Sequence, residues 1–265
     1  MRIVNNPPLL INLPSPKHKN ENLHYGRLIF LMNKRLLLNL FMAILLTGCS
    51  TAVQDLAPET IIKNSTTTMR GLAGFSFKLT RSGAPVYVDP TGIVTFREAS
   101  GAFVAPDRVQ GIVKVIVPAI VAEVSIIGIG ELEWETNIFS REWMLVPPEY
   151  AFKPAVLFEP EGGIQQAIEK YMVNVEVMDV AGLEEVPGLS LYHLRGQMDG
   201  ANVHDITFGL IDNQLLDIEL WIAPGSFELH RALIIDPANE GAEEGTTWQL
   251  DFWDFGKVIV IEAPI

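Results

Sequence analysis

The sequence predicts an α+β fold: an antiparallel sheet of roughly nine to eleven strands with helices on one face. Alternating apolar and polar residues recur in short runs between polar loops, the pattern of half-buried strands. Amphipathic stretches of helical period occur ahead of the first strands and again midway along the chain. The order helix, strands, helix, strands suits a single sheet with its helices segregated to one side.

Pro58 opens the first helix, with Ile61, Ile62, Ser65, Met69 and Leu72 on one face and Gly71 and Gly74 ending it. Phe75, Phe77 and Leu79 then alternate with polar neighbours in a strand over 73–80, and Ser82-Gly83 turns it towards a strand over 92–97. Residues 109–129 are almost wholly apolar and long enough for a transmembrane helix. Lys114, Glu123, the central Pro118 and the dominance of Val and Ile argue against one, since each charge costs about 2.5–3.5 kcal/mol near a bilayer centre. Two strands, broken at Pro118 and buried on both faces, are expected instead. A strand over 132–136 follows. The clearest helix comes after Pro160-Glu161-Gly162-Gly163, with Ile164, Ala167, Ile168, Tyr171 and Met172 on its stripe. Further strands are expected over 188–197, 201–208, 214–223, 229–236, 246–255 and 257–263.

The chain has 265 residues and a single cysteine, Cys49, in Leu45-Leu46-Thr47-Gly48-Cys49-Ser50. A lone cysteine forms no internal disulfide. Met32-Asn33-Lys34-Arg35 reads as a start and a positive n-region, and the apolar run 36–46 has the length of a signal-peptide h-region. Leu-Thr-Gly-Cys looks like a bacterial lipobox, so Cys49 is expected to be diacylated and to begin the mature protein after cleavage of a signal over 32–48. Acyl chains contribute about 0.8 kcal/mol per buried methylene, and more than one is needed for stable anchoring. Residues 1–31 hold four prolines and no helical period. They read as a mis-assigned N-terminal extension, the alternative being a short cytoplasmic tail. Residues 49–57 are then a tether, and 58–265 a single domain.

Six of the 19 basic and one of the 32 acidic residues precede Cys49, which leaves 13 basic and 31 acidic residues and a formal charge of −18. Such a surface repels nucleic acid and anionic headgroups, so attachment to a membrane would come from the lipid. The composition is nevertheless 48% hydrophobic, enough for a large core or for a lined cavity.

Catalytic motifs are missing. There is no G-x-S-x-G elbow, no H-E-x-x-H and no phosphate-cradling glycine loop. His193 and His230 fall inside alternating strands and read as satisfied sheet histidines. The acidic stretch 236–245 lacks the EF-hand ligand spacing and reads as a solvated hairpin loop. Asp199, Asp205, Asp212 and Asp217 are spread over turns and strands. No metal, cofactor or enzymatic activity is expected.

Phe75-Ser76-Phe77-Lys78-Leu79, Ala105-Pro106-Asp107-Arg108-Val109, Phe158-Glu159-Pro160-Glu161-Gly162-Gly163-Ile164, Leu220-Trp221-Ile222-Ala223 and Leu250-Asp251-Phe252-Trp253-Asp254-Phe255-Gly256-Lys257 occur in that order along the mature chain. Together they resemble the LppX/LprAFG class of mycobacterial-type lipoproteins. The resemblance implies a strongly curved antiparallel half-barrel with helices on its concave face around an apolar cavity for lipid or glycolipid acyl chains. It also implies anchoring at the outer face of the cell membrane and lipid carriage within the envelope, sometimes beside a membrane exporter. On that reading the cavity residues are Phe75, Phe77, Val117, Ile120, Val124 and Ile126 from strands and Ile164, Ile168 and Met172 from the second helix. Plain core packing accounts for each of them equally well. The alternative function is a surface scaffold or envelope sensor that acts by protein contact with no lipid cargo.

Overall fold

The alternating runs assemble edge to edge into one open antiparallel sheet. In the computed structural model, residues 55–264 are described apart from 90, 119, 179–180, 212–213 and 239–242. Cys49 and the expected signal segment therefore lie outside the described residues. The strands are β1 (Gly74–Gly83), β2 (Thr95–Val104), β3 (Arg108–Val117), β4 (Ile120–Ile129), β5 (Leu132–Thr136) and β6 (Trp143–Leu145), then β7 (Val173–Val177), β8 (Ala181–Leu183), β9 (Val186–Asp199), β10 (Leu215–Ile222), β11 (Leu229–Asp236) and β12 (Thr246–Trp253). Their order across the sheet is β6-β5-β4-β3-β2-β1-β12-β11-β10-β9-β7, with β8 paired beside β9. The two ends do not pair with each other, so the curved sheet is a half-barrel and not a closed one.

Register decides which side chains face inward. Phe77 lies opposite Phe252 and Leu79 opposite Leu250, Phe103 opposite Val109, Val113 opposite Val124 and Ile234 opposite Trp248. Period two then keeps the rest of each row on the same concave face. Curvature has a local cause at Gly101, which faces Gly111 across β2 and β3. A Cβ on Gly101 would stand 2.0 Å from the Gln110 carbonyl oxygen, so the strands bend too tightly there for any side chain.

Two helices among the described residues pack against the concave face. α1 (Pro58–Gly71) begins with Pro58 in its first turn and buries Ile61, Ile62, Ser65, Thr66 and Met69. α2 (Ile164–Tyr171) buries Ile164, Gln165, Ala167 and Ile168. They share a core with Leu194, Met198, Leu216, Leu220 and Ile222 of β9 and β10, each at most 1% exposed. The helices are joined to one another by Arg70, whose guanidinium pairs with Glu169 at 2.6 Å, and by the Thr66 hydroxyl, which donates to the same carboxylate at 3.0 Å. Gly196 of β9 lets the end of α2 come down onto the sheet: a Cβ there would meet Met172 Cε at 2.7 Å.

Several expectations change. The apolar run is two strands parted at Pro118, but they are not buried on both faces: Ile112, Ile116 and Val121 point out to solvent. On that outer side Lys114 pairs with Glu98 at 2.9 Å and with Glu123 at 3.8 Å, a cross-strand arrangement that gives both charges of the run a partner. Residues 201–208 form a 3-10 turn (Gly200–Asn202) and further turns, not a strand. Asp199 accepts from Ala201 N and the Thr207 hydroxyl donates to the Val203 carbonyl, local bonds that compete with a ladder. Residues 257–263 also form no strand. Ile261 is buried instead, and its carbonyl accepts from Arg108 Nη1 at 2.8 Å. The second strand starts at Thr95, later than expected, because Asp89 takes the backbone N–H groups of Thr91, Ile93 and Val94 into a loop. β6, β7 and β8 were not expected: β6 and β8 are three residues each and show no alternation, whereas β7, Val173-Asn174-Val175-Glu176-Val177, alternates but is only five residues long and follows directly on α2.

A hydrophobic cavity on the concave side

The helices fill only the half of the concave face over β9 and β10. Over β1 to β4 and β12 they leave a cavity of about 510 Å³. Side chains of Phe77, Val113, Val124, Ile126, Leu250 and Trp248 form its floor. At one end stands Phe158, from the 3-10 turn Pro154–Phe158, in ring contact with Phe75, Phe77, Phe103 and Phe252 at 4.6–6.3 Å between centroids. Residues 149–158, between β6 and α2, and 207–211, between β9 and β10, come over the top.

Of the residues singled out in the sequence, Phe77, Val124, Ile126 and Ile164 line this cavity. Phe75 is 1% exposed inside the phenylalanine cluster. Ile168 faces α1 and β10 across a narrow crevice shared with Ile62, Met69 and Leu220, and Met172 rests on Gly196. Val117 and Ile120 belong to the β3–β4 hairpin end, where Ile120 is half exposed. The structure therefore brings four of the nine to the wall. The strap residues Tyr150, Phe152 and Leu157 and the loop residues Phe208 and Ile211, also on the wall, were missed. Aromatic residues in a proline-rich stretch without helical or strand period were the only trace of the strap in the sequence.

The wall is apolar except on the β5 side. Its charged groups among the described residues are Glu133, Glu135 and Glu149, with no lysine, arginine or histidine. Glu133 is 3% exposed and accepts from Phe152 N at 3.3 Å and Lys153 N at 2.7 Å. Burial pushes its carboxyl above the usual glutamate value, against these two bonds, and the like charge of Glu135 adds to the rise. Elsewhere His193 stacks on Trp221 at 4.3 Å and meets Glu219 at 2.8 Å on the outer face. Among the described residues, no group of three or more His, Cys, Asp or Glu could hold a metal ion, and no helix is long and apolar enough to cross a membrane.

Residues 57–261 match the model of the LppX_LprAFG lipoprotein family. The chain belongs to this family. Its fold is that of LprF from Mycobacterium bovis, with a TM-score of 0.60 and 16% identity over 80% of this chain and 99% of that one. Lipoprotein LppX from Mycobacterium tuberculosis is similar too, with a TM-score of 0.55 and 15% identity over 79% of this chain and 100% of that one. No curated protein matches the sequence. Membership of the LppX_LprAFG family places the open half-barrel with its two helices among lipoproteins.

Proposed function

We propose that this family member binds the acyl chains of a lipid in the concave cavity and carries it within the cell envelope, tethered by acylated Cys49. The observation that carries this reading is a 510 Å³ void in a protein whose remaining concave face is closely packed. Native cores leave few voids larger than a water molecule, whereas ligand pockets run from about 300 to 1,000 Å³. A scaffold working by protein contact needs no such space. Each methylene moved from water into the cavity contributes about 0.8 kcal/mol, so a single acyl chain supplies affinity without a catalytic group. The carboxylates on the β5 side favour a lipid with an uncharged headgroup, a glycolipid or an acylglycerol, over an anionic phospholipid. Signal cleavage before Cys49 and acylation of its thiol complete the reading: residues 49–57 keep the domain on the outer face of the membrane, where an exporter could hand it cargo. Residues 1–31 take no part.

The test is native mass spectrometry of residues 50–265, which contain the folded unit, purified under mild conditions from a lipid-containing host. A stoichiometric acyl lipid travelling with the protein is expected, and organic extraction would identify its class. A protein that emerges empty and refuses added diacylglycerol would overturn the carrier reading in favour of the scaffold.

A further inference from the structure

The cavity has a bridge across its top that its apolar walls do not require. Phe152 and Phe208 meet with ring centroids 3.9 Å apart, and both line the cavity. They come from opposite halves of the sheet. Phe152 lies in the strap after β6, held to β5 by the bonds that Glu133 accepts from Phe152 N and Lys153 N. Phe208 lies in the loop between β9 and β10, which stand four and three strands beyond β1, the midpoint of the order, on the other side. The neighbouring wall residues Glu149, Tyr150 and Phe208 are all solvent-exposed, so the contact stands where the cavity reaches the surface.

Two further features set this contact apart from core packing. Phe208 has φ 56° and Lys153, next to Phe152, has φ 46°, left-handed backbone that non-glycine residues adopt only at a cost. The two sides are also unequal. The Phe208 loop is braced within itself by Thr207 Oγ1 to the Val203 carbonyl at 2.8 Å and by His204 Nδ1 with the Ile211 carbonyl at 2.9 Å. Ahead of its Glu133 anchor, the strap over 147–151 has a single backbone turn, Tyr150 N to the Pro147 carbonyl, and Tyr150 is 78% exposed.

The geometry points to the Phe152–Phe208 contact as a gate: acyl chains enter and leave the cavity by parting these two rings, the Phe152 side chain turning aside as the less braced stretch 147–151 shifts ahead of the Glu133 anchor. Left-handed backbone stands at Phe208 and at Lys153 beside Phe152, and apolar rings rather than charges meet the passing chain. This rests on the carrier reading above.

The test uses residues 50–265, which omit the only native cysteine, so that introduced thiols are the sole ones. In Phe152→Cys/Phe208→Cys, a short bismaleimide ties strap to loop, and uptake of a fluorescent diacylglycerol from neutral vesicles is followed in stopped flow. The tied protein should load at least ten-fold more slowly than the same variant with its thiols capped singly. Phe208→Ala, which removes one ring without a tether, should load several-fold faster than the parent while keeping its near-ultraviolet circular dichroism. Equal loading rates for tied and capped protein would overturn the gate and leave the carrier reading standing. A parent protein that never loads would overturn both.

Discussion

Phe158 is where the aromatic rows of β1, β2 and β12 converge, since Phe75, Phe77, Phe103 and Phe252 all touch its ring. It is 4% exposed and closes one end of the cavity. Phe158→Ala should lower stability by about 3–5 kcal/mol, seen as a shifted urea midpoint with an unchanged slope. A loss under about 1 kcal/mol would mean the cluster collapses onto the gap. Glu133 offers a second test at this scale. Its carboxyl is held above the ordinary glutamate value of 4.5, first by burial. The folded chain therefore keeps this proton longer than the unfolded one. The stability gained is fully present below 4.5 and is lost as pH rises through the raised folded value. Glu133→Gln should flatten that decline, measured as urea midpoints at a series of pH values upward from 4. Identical slopes in parent and variant would assign the decline to other groups.

At the scale of elements, the placing of α2 depends on a missing side chain. Gly196 lies directly under Met172, and a Cβ would also meet the Val173 carbonyl oxygen at 2.9 Å. The methionine can swing away, but the backbone oxygen cannot without lifting the end of α2. Gly196→Ala should cost about 1–3 kcal/mol and reduce lipid loading more than its stability loss alone explains, because Ile164 of the same helix forms part of the cavity wall. The Arg70–Glu169 pair between the helices is partly exposed, so breaking it with Arg70→Ala should cost no more than about 1 kcal/mol. Sequence reasoning recovered α1, α2 and the long strands because their periodicity runs over enough residues to be read. It failed at 201–208 and 257–263, where apolar residues alternate but local hydrogen bonds and an Arg108 contact, respectively, take up the backbone.

For the whole molecule, the carrier reading ties stability to cargo, because the cavity lies inside an otherwise packed half-barrel. A lipid that binds only the folded state at about a hundred times its Kd stabilises by about 2.7 kcal/mol, which for a domain of this size raises Tm by roughly 5–10 °C. Differential scanning of stripped and reloaded protein would show it. Val124→Trp, placed on the floor, should abolish most of that rise by occupying the space itself. A rise equal to that of the parent would put the lipid elsewhere.

By itself the sequence determined the helix–strand–helix–strand order, the inward rows of Phe77 and Leu79, the charges that argue against a membrane helix at 109–129 and the lipobox-like segment around Cys49. All of these rest on local period or on short contiguous motifs. Only the tertiary structure decided that the helices cover half of the trough, so that Phe77, Val124, Ile126 and Ile164 face space while Phe75, Ile168 and Met172 face protein. Each of these is an apolar residue on the inward side of its element. What separates wall from core is the distance to a partner across the fold, a quantity set by Gly101, Gly196 and the sheet's curvature and carried by no residue's own neighbours in the chain.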